Sequence, residues 1–466
     1  MNRTPLAESK NLPITIGKAY MERVLSSRIG LRSMVFPCVI WLISLTAMTA
    51  TAQVSFYTVV DQSLRTSSQV RIAEADVRKA AAVVLELKDA YIPNLSVGSG
   101  LGYSYGFTVT PPTLYTVTSQ SLLFSFSQRD YIRAGRAGFH AAQMHLRDVR
   151  QQVILDAAES YIELDMLQQS LAALRQESQY SERLTSIVND RFAAGLETKI
   201  ETTRTRLNAA TVNLKQVQLR GRIAELQDHL SRLSGIPPQD IKTETESIPA
   251  PPSLTAGEHI TGTTPAVEAA SDNARSKQYQ AFGAKREEYR PQAGLAAQYN
   301  RYSTLTDFQN NFANFKVNNF GIGLQLNWPL FDQTRRAKRF EAEADASRAQ
   351  SEFRQARDQA GEQVLKLQDS FEQIDAQLQV ADLTAELAKD RLDAILTQVN
   401  SSAAEQTPLT PKDEQAARIE ERERYIETLD AKLSLAKIQL ELLRATGEIE
   451  PWAKSTSAAL TTAPNP

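Results

Sequence analysis

Hydrophobic positions along the chain follow two periods. Val364, Leu367, Phe371, Ile374, Leu378, Ala381, Ala385, Ala388, Leu392 and Ile395 alternate spacings of three and four without a break. Beyond Pro408 and Pro411, the residues Ile426, Leu429, Leu433, Ala436, Leu440 and Leu443 resume that rhythm. Leu164, Leu167, Leu171 and Leu174 form a shorter seam of the same kind, as do Ile223, Leu226, Leu230 and Leu233. A sustained spacing of 3.5 residues predicts left-handed coiled-coil packing. Proline breaks helix interiors, and none occurs between Pro112 and Pro237 or between Pro329 and Pro408. A tract such as 131–194, wholly helical, would span about 95 Å at ~1.5 Å per residue.

The second period is two. Leu95, Val97, Leu101, Tyr103, Tyr105, Phe107 and Val109 alternate with Ser96, Gly98, Gly100, Gly102, Ser104, Gly106 and Thr108. A partner segment runs from about Leu114 to Phe126. The second half repeats the theme over 293–301. There follow Phe320, Ile322, Leu324, Leu326 and Trp328, set against Gly321, Gly323, Gln325 and Asn327. One apolar, aromatic face and one small, polar face are the mark of an outer-membrane barrel wall. A β-sandwich is disfavoured, because only four strands stand between very long helices.

The two halves match. Tyr91-Ile92-Pro93 opens the first strand pair and Tyr289-Arg290-Pro291 the second, and Leu123-Phe124 is echoed by Leu330-Phe331. Each half reads helix, two strands, long helix, turn, long helix. The predicted organisation is therefore a tandem duplication, 53–236 and 266–450, split by a Pro-rich linker 237–265 and followed by a tail 451–466. The fold class is mainly α with a small membrane β-barrel.

Composition narrows the function. The 466 residues carry a formal net charge of −2, which lacks the basic face of a nucleic-acid binder. With 23% charged and 42% hydrophobic residues, the chain is neither a polytopic helical membrane protein nor mainly disordered. A single cysteine and four histidines leave little for metal chemistry. His140 and His145 are five apart, off the i, i+4 spacing of a helical metal pair, and His229 and His259 have no ligand neighbours at diagnostic spacing. Gly98, Gly100 and Gly102 lie inside a strand, whereas a dinucleotide loop needs the strand to end there. No phosphate loop or nucleophile elbow is present, so no enzyme activity, catalytic residue, metal or cofactor is expected.

The N-terminus reads as an export signal: Arg23, Arg28 and Arg32, an apolar run Met34–Met48, then Ala50-Thr51-Ala52. At about 15 residues the run is short of the ~20 of a spanning helix. Cleavage after Ala52 would leave Gln53 first, and Met21 is an alternative start. Cys38 sits at the front of the apolar core, where a lipid-modified cysteine would follow it, so no acyl anchor is expected. Residues 1–52 hold six of the 52 basic and two of the 54 acidic residues, leaving 46 against 52, a net charge of −6.

Four strands cannot close a barrel, and open edges in lipid cost several kcal/mol per unsatisfied group, so several protomers must pool their strands. In combination, Ala90-Tyr91-Ile92-Pro93, Trp328-Pro329-Leu330-Phe331-Asp332 and Arg191-Phe192-Ala193-Ala194-Gly195-Leu196-Glu197-Thr198 resemble the TolC family of outer-membrane channel proteins, from about 55 to 450. The resemblance implies a homotrimer with a twelve-stranded barrel in outer-membrane lipid and a periplasmic helical tunnel. It implies the exit duct of a tripartite efflux or type I secretion system, conducting passively and coupled through a periplasmic adaptor (membrane fusion) protein to an inner-membrane pump. Ala194, Gly195 and Leu196 look like the adaptor-docking tip. Glu201, Asp413 and Glu414 fall where the family narrows its entrance gate, and Leu101, Tyr103, Tyr105, Leu324, Leu326 and Trp328 look like barrel strand residues. The stretch from Thr397 to Asp413, with two prolines and no glycine, departs from the family's second tip. A structural coiled-coil envelope protein is the rival reading, and it leaves the strands unexplained. A surface-associated hydrolase lacks a nucleophile constellation.

Overall fold

A computed structural model describes residues 54–100, 113–250, 264–303, 316–400 and 410–461. The leader with Cys38, the strand residues Leu101, Tyr103 and Tyr105, His259 and Pro408 lie outside these residues. Helices α1 (Phe56–Thr66) and α2 (Ser68–Asp89) lead into β1 (Asn94–Ser99) and β2 (Thr113–Ser125), then α3 (Phe126–Ala193) and α4 (Lys199–Ser234). Two 3-10 turns, Pro238–Asp240 and Thr245–Ser247, precede the second round. That round is α5 (Pro265–Tyr289), β3 (Gln292–Tyr302), β4 (Asn318–Asn327), α6 (Gln333–Asn400) and α7 (Pro411–Thr446), closed by α8 (Ile449–Thr461).

The duplication is metrical. Helices α3 and α6 have 68 residues each, and α4 and α7 have 36 each. Each 68-residue helix is about 100 Å long. The helices α4 and α7 end alike on Gly235 (φ 77°) and Gly447 (φ 78°), left-handed C-caps that cost a glycine least. Helix α6 runs on to Asn400, past the Thr397 where the second tip was expected to begin.

The sheet is β1-β2-β3-β4, antiparallel throughout. Its rows alternate as the period of two requires. Val97, Val117, Tyr299 and Phe320 form one row, and Ser96, Thr118, Gln298 and Gly321 form the next, on the opposite face. Trp328, expected in the last strand, lies one residue past it. The final pair is Gln292 with Asn327, and Pro291 before it has no N–H to extend the ladder.

Around α3 and α6 the other helices form two layers. Near the sheet α2 packs on α3, α3 on α5 and α5 on α6; farther away α4 packs on α3, α3 on α7 and α7 on α6. A collar ties the layers together. Phe56 of α1 is fully buried, edge-on to Tyr161 (5.6 Å between centroids) and Trp452 (5.4 Å), above Leu164, Leu230 and Leu443. The Tyr161 hydroxyl donates to the Val54 carbonyl (2.8 Å) and accepts from the Glu244 N–H (2.8 Å). The stretch read as a C-terminal tail is thus mostly helix, and its Trp452 closes the core.

Candidate functional site

The residues singled out in the sequence fall in two regions: the sheet, and the far end of the long hairpins. On the sheet, Leu95, Val97, Phe320, Ile322, Leu324 and Leu326 share one face with exposures from 65% to 77%. The other face holds Asn94, Ser96, Gly98, Thr116, Thr118, Gln298, Asn300, Gly321 and Gly323. Large apolar side chains on one side and small polar ones on the other suit a wall between hydrocarbon and a watery lumen. The outer edges of β1 and β4 have no strand partner among the described residues.

At the far end, Gly195 (φ 75°) follows α3 as a left-handed residue. The Leu196 N–H reaches the Arg191 carbonyl (2.8 Å) and the Gly195 N–H the Phe192 carbonyl (2.9 Å), a complete Schellman motif. Thr198 then caps α4, its hydroxyl accepting from the Glu201 N–H (3.3 Å). Phe192, Leu196 and Ile200 stand exposed around this turn, so Ala194, Gly195 and Leu196 form a rigid, apolar-flanked tip.

Lys412, at the start of α7, reaches this first tip. Its ammonium lies 3.1 Å from both Glu197 Oε1 and Glu201 Oε1. Glu197 also accepts from Arg191 Nε (3.1 Å). The hydrogen bond from Lys412, with that from Arg191, holds the Glu197 carboxyl below its usual range. Burial pulls Lys412 down, but Glu201 and Glu197 together outweigh it and hold the ammonium above its ordinary value. Asp413 turns inward instead. Its Oδ2 accepts from the Thr410 N–H (2.9 Å) and hydroxyl (2.7 Å) in a capping box, which depresses its pKa. Glu414 pairs with Arg418 (2.9 Å), whose guanidinium lies over the Tyr180 ring of α3 (5.5 Å). The structure thus joins Glu201 to Lys412, and keeps Asp413 and Glu414 within α7. Lys412 was missed in the sequence. The signal available was a cation in the first turn of a helix, where the macrodipole opposes it unless carboxylates face it.

Higher on α3, two carboxyls meet α7 without adequate partners. Glu177 is fully buried, neither oxygen is hydrogen-bonded, and burial with nearby Glu423 raises its pKa to about 7. Burial and Glu441 raise Glu159 to about 7 as well. His229 meets Asp156 (2.9 Å), a link between α4 and α3. No metal-holding cluster occurs among the described residues, and none of their helices is long and apolar enough to cross a membrane.

Residues 59–236 match the profile of the outer membrane efflux protein family. No curated protein sequence matches the chain. Solved structures share its fold. The outer membrane protein VceC from Vibrio cholerae is 18% identical, covering 84% of this chain and 96% of its own, with a TM-score of 0.67. The CmeC outer membrane channel of Campylobacter jejuni is 14% identical over 87% and 88% of the two chains, TM-score 0.68. A membrane protein from Pseudomonas aeruginosa is 16% identical over 84% and 91%, TM-score 0.69. These findings bear out the resemblance over the first repeat and a mostly helical fold with a small four-stranded sheet, shared with outer-membrane channels.

Proposed function

From a first repeat that matches the outer membrane efflux proteins and a fold shared with outer-membrane channels, we propose that this chain is the homotrimeric exit duct of a tripartite efflux or type I secretion system. One observation carries the reading: among the described residues the protomer is open at both flanks, in the sheet and in the distal helical layer. The sheet there ends in two edge strands without partners, β1 and β4. In the distal layer the flanking helices α4 and α6 present unpaired apolar residues, Ile200, Leu207 and Leu214 on one and Val380, Leu383 and Leu387 on the other. A heterologous contact of β4 and α6 with β1 and α4 of the next copy satisfies both flanks, and a closing rotation makes a ring. Three copies give twelve strands and a continuous tunnel.

Conduction is passive, in keeping with a sequence that carries no phosphate-loop motif, and energy comes from an inner-membrane pump. The apolar tip Ala194–Leu196 is the surface for a periplasmic adaptor. The entrance is held closed by the Lys412 bridge to Glu197 and Glu201, with Asp413 and Glu414 setting the start of α7. Reconstitution into planar bilayers tests the duct, alongside efflux in cells lacking their own channel. Trimers should conduct without nucleotide and restore efflux. A monomer soluble without detergent would overturn the assignment in favour of a structural coiled-coil protein.

A further inference from the structure

The strand–helix junctions carry arginines of two kinds. Some are committed to carboxylates. Asp130, 1% exposed, holds Arg286 (2.6 Å) and Arg133 (3.5 Å), Asp332 holds Arg335 (3.2 Å), and Glu288 holds Arg339 (3.2 Å). Among the described residues, Arg129, Arg290 and Arg336 have no carboxylate within ion-pair distance; each is exposed and lies over aromatic rings instead. Arg129 covers Phe124 (5.0 Å), Arg290 covers Phe126 (5.5 Å) and Tyr289 (5.9 Å), and Arg336 covers Phe340 (5.8 Å). Phe124 and Phe126 meet edge to face (4.7 Å), so Arg129 and Arg290 flank one aromatic pair.

Their placement follows from the register. Phe124 pairs with Ala293, which pairs with Leu326, and this row belongs to the apolar face. The cluster therefore sits on the lipid side, at the end of that face. Close by, exposed Trp328 donates from Nε1 to the Tyr289 carbonyl (3.2 Å), and Leu330 and Phe331 are more than 80% exposed. Arg129 and Arg290 border the two central strands, away from the edges that neighbouring copies would cover. The shift of 207 positions that carries Phe126 onto Gln333, the first residues of α3 and α6, also carries Arg129 onto Arg336, but Arg336 covers Phe340, whose counterpart is Arg133, so the aromatic pair belongs to the first half alone. Both central arginines lie within about 10 Å of the strand ends, the depth of a headgroup layer.

We propose that Arg129 and Arg290 form a docking site for the phosphate headgroups of anionic phospholipids in the periplasmic leaflet of the outer membrane. The occupant follows from the surroundings: two guanidinium groups not ion-paired among the described residues, the nearby acids being held by other arginines, at the rim of a lipid-facing surface and beside aromatics that favour the interface. Guanidinium planes bind phosphate oxygens in bidentate fashion, and the rings below fix those planes while acyl chains continue onto Leu324 and Leu326. This inference rests on the barrel reading above.

The test is native mass spectrometry of the full-length trimer with phosphatidylglycerol, cardiolipin or phosphatidylethanolamine added, and with inorganic phosphate as competitor. The wild type should bind the anionic lipids more tightly than the zwitterionic one. At about 1 kcal/mol per surface cation, Arg129→Gln with Arg290→Gln should weaken anionic lipid about thirtyfold and leave the zwitterionic lipid unchanged. The charge-conserving pair Arg129→Lys with Arg290→Lys should keep most of the preference, and single Gln variants, about fivefold weaker, serve if the double variant does not assemble. An undiminished preference in the Gln variants overturns the proposal. So does displacement of lipid by millimolar inorganic phosphate, which would mark a simple anion site. Bilayer conductance of the same preparations separates the outcomes: loss of lipid preference in a conducting trimer concerns this site, whereas a non-conducting wild type undermines the channel reading.

Discussion

Replacing Glu177 with glutamine should stabilise the α3–α7 contact at high pH and leave it little changed at low pH. Glu177 is fully buried on α3, facing Glu423 of α7 and Lys215 of α4, and neither carboxyl oxygen has a hydrogen-bond partner. Burial first, and Glu423 second, lift its pKa from 4.5 to about 7. Because the folded pKa lies above the unfolded one, the protonated form favours folding. That advantage is complete below pH 4.5 and disappears as the pH rises through 7. A shift of roughly 2.5 units at 1.36 kcal/mol each makes the difference about 3 kcal/mol, or on the order of a hundredfold in local opening. Glutamine keeps the shape and cannot ionise. Its amide is left unpaired, as is the protonated carboxyl it replaces, so that cost, about 1–3 kcal/mol, is common to both at low pH and constant with pH for glutamine. Hydrogen exchange of the trimer, corrected for intrinsic rates, reads the effect at the amides of 173–181. Between pH 5 and 8.5, wild-type protection there should fall on the order of a hundredfold, and the Glu177→Gln profile should stay flat. Parallel profiles for the two proteins would refute the reasoning.

Gly195→Pro should abolish efflux while trimer yield from the same membranes stays normal, since proline cannot adopt φ 75° and the sheet lies a whole long helix away. Lys412→Met removes the cation shared by Glu197 and Glu201 and should raise open-channel conductance in planar bilayers; unchanged conductance would remove these residues from the gate. Leu324→Arg, on the apolar face of β4, should lower trimer yield, because a midplane charge there costs about 2–4 kcal/mol. Intact mass of the purified protein should correspond to a chain starting at Gln53 without an acyl group.

Periodicity made most of this architecture legible. A spacing of 3.5 in the seams and of two in the strands reports which residues share a face, and Leu324 and Leu326 lie on the face so identified. Pairing across space leaves no such mark. Nothing local announces that Lys412 meets residues more than two hundred positions earlier, nor that Trp452 fills the space beside Phe56. The helix containing Trp452 was hidden for a definable reason. Pro451 reads as an end of structure, yet proline is tolerated in the first turn of a helix, where its missing N–H has no partner to lose, and α8 begins two residues before it. Trp328 shows the converse. Its parity is right for the strand, but the ladder had already ended for lack of a donor at Pro291.

The same duplication clarifies why the two tips differ. Helices α4 and α7 begin 212 positions apart, at Lys199 and Pro411, so Thr198 corresponds to Thr410 and Glu201 to Asp413. Both starts carry a threonine cap with an acid three residues on. The acids have parted. The shorter Asp413 is held by its own cap, whereas Glu201 has the reach to leave its helix and meet Lys412. Lys412 itself corresponds to Ile200, which is 79% exposed. A single position has thus become an outward apolar residue in one hairpin and a clamp in the other. The connections diverged with it, five residues (194–198) in the first hairpin against ten (401–410) in the second. A protomer built from two equal halves would present two equal tips. This one has an apolar-flanked glycine turn at the first tip, and a second hairpin tied to it by the Lys412 ion pairs.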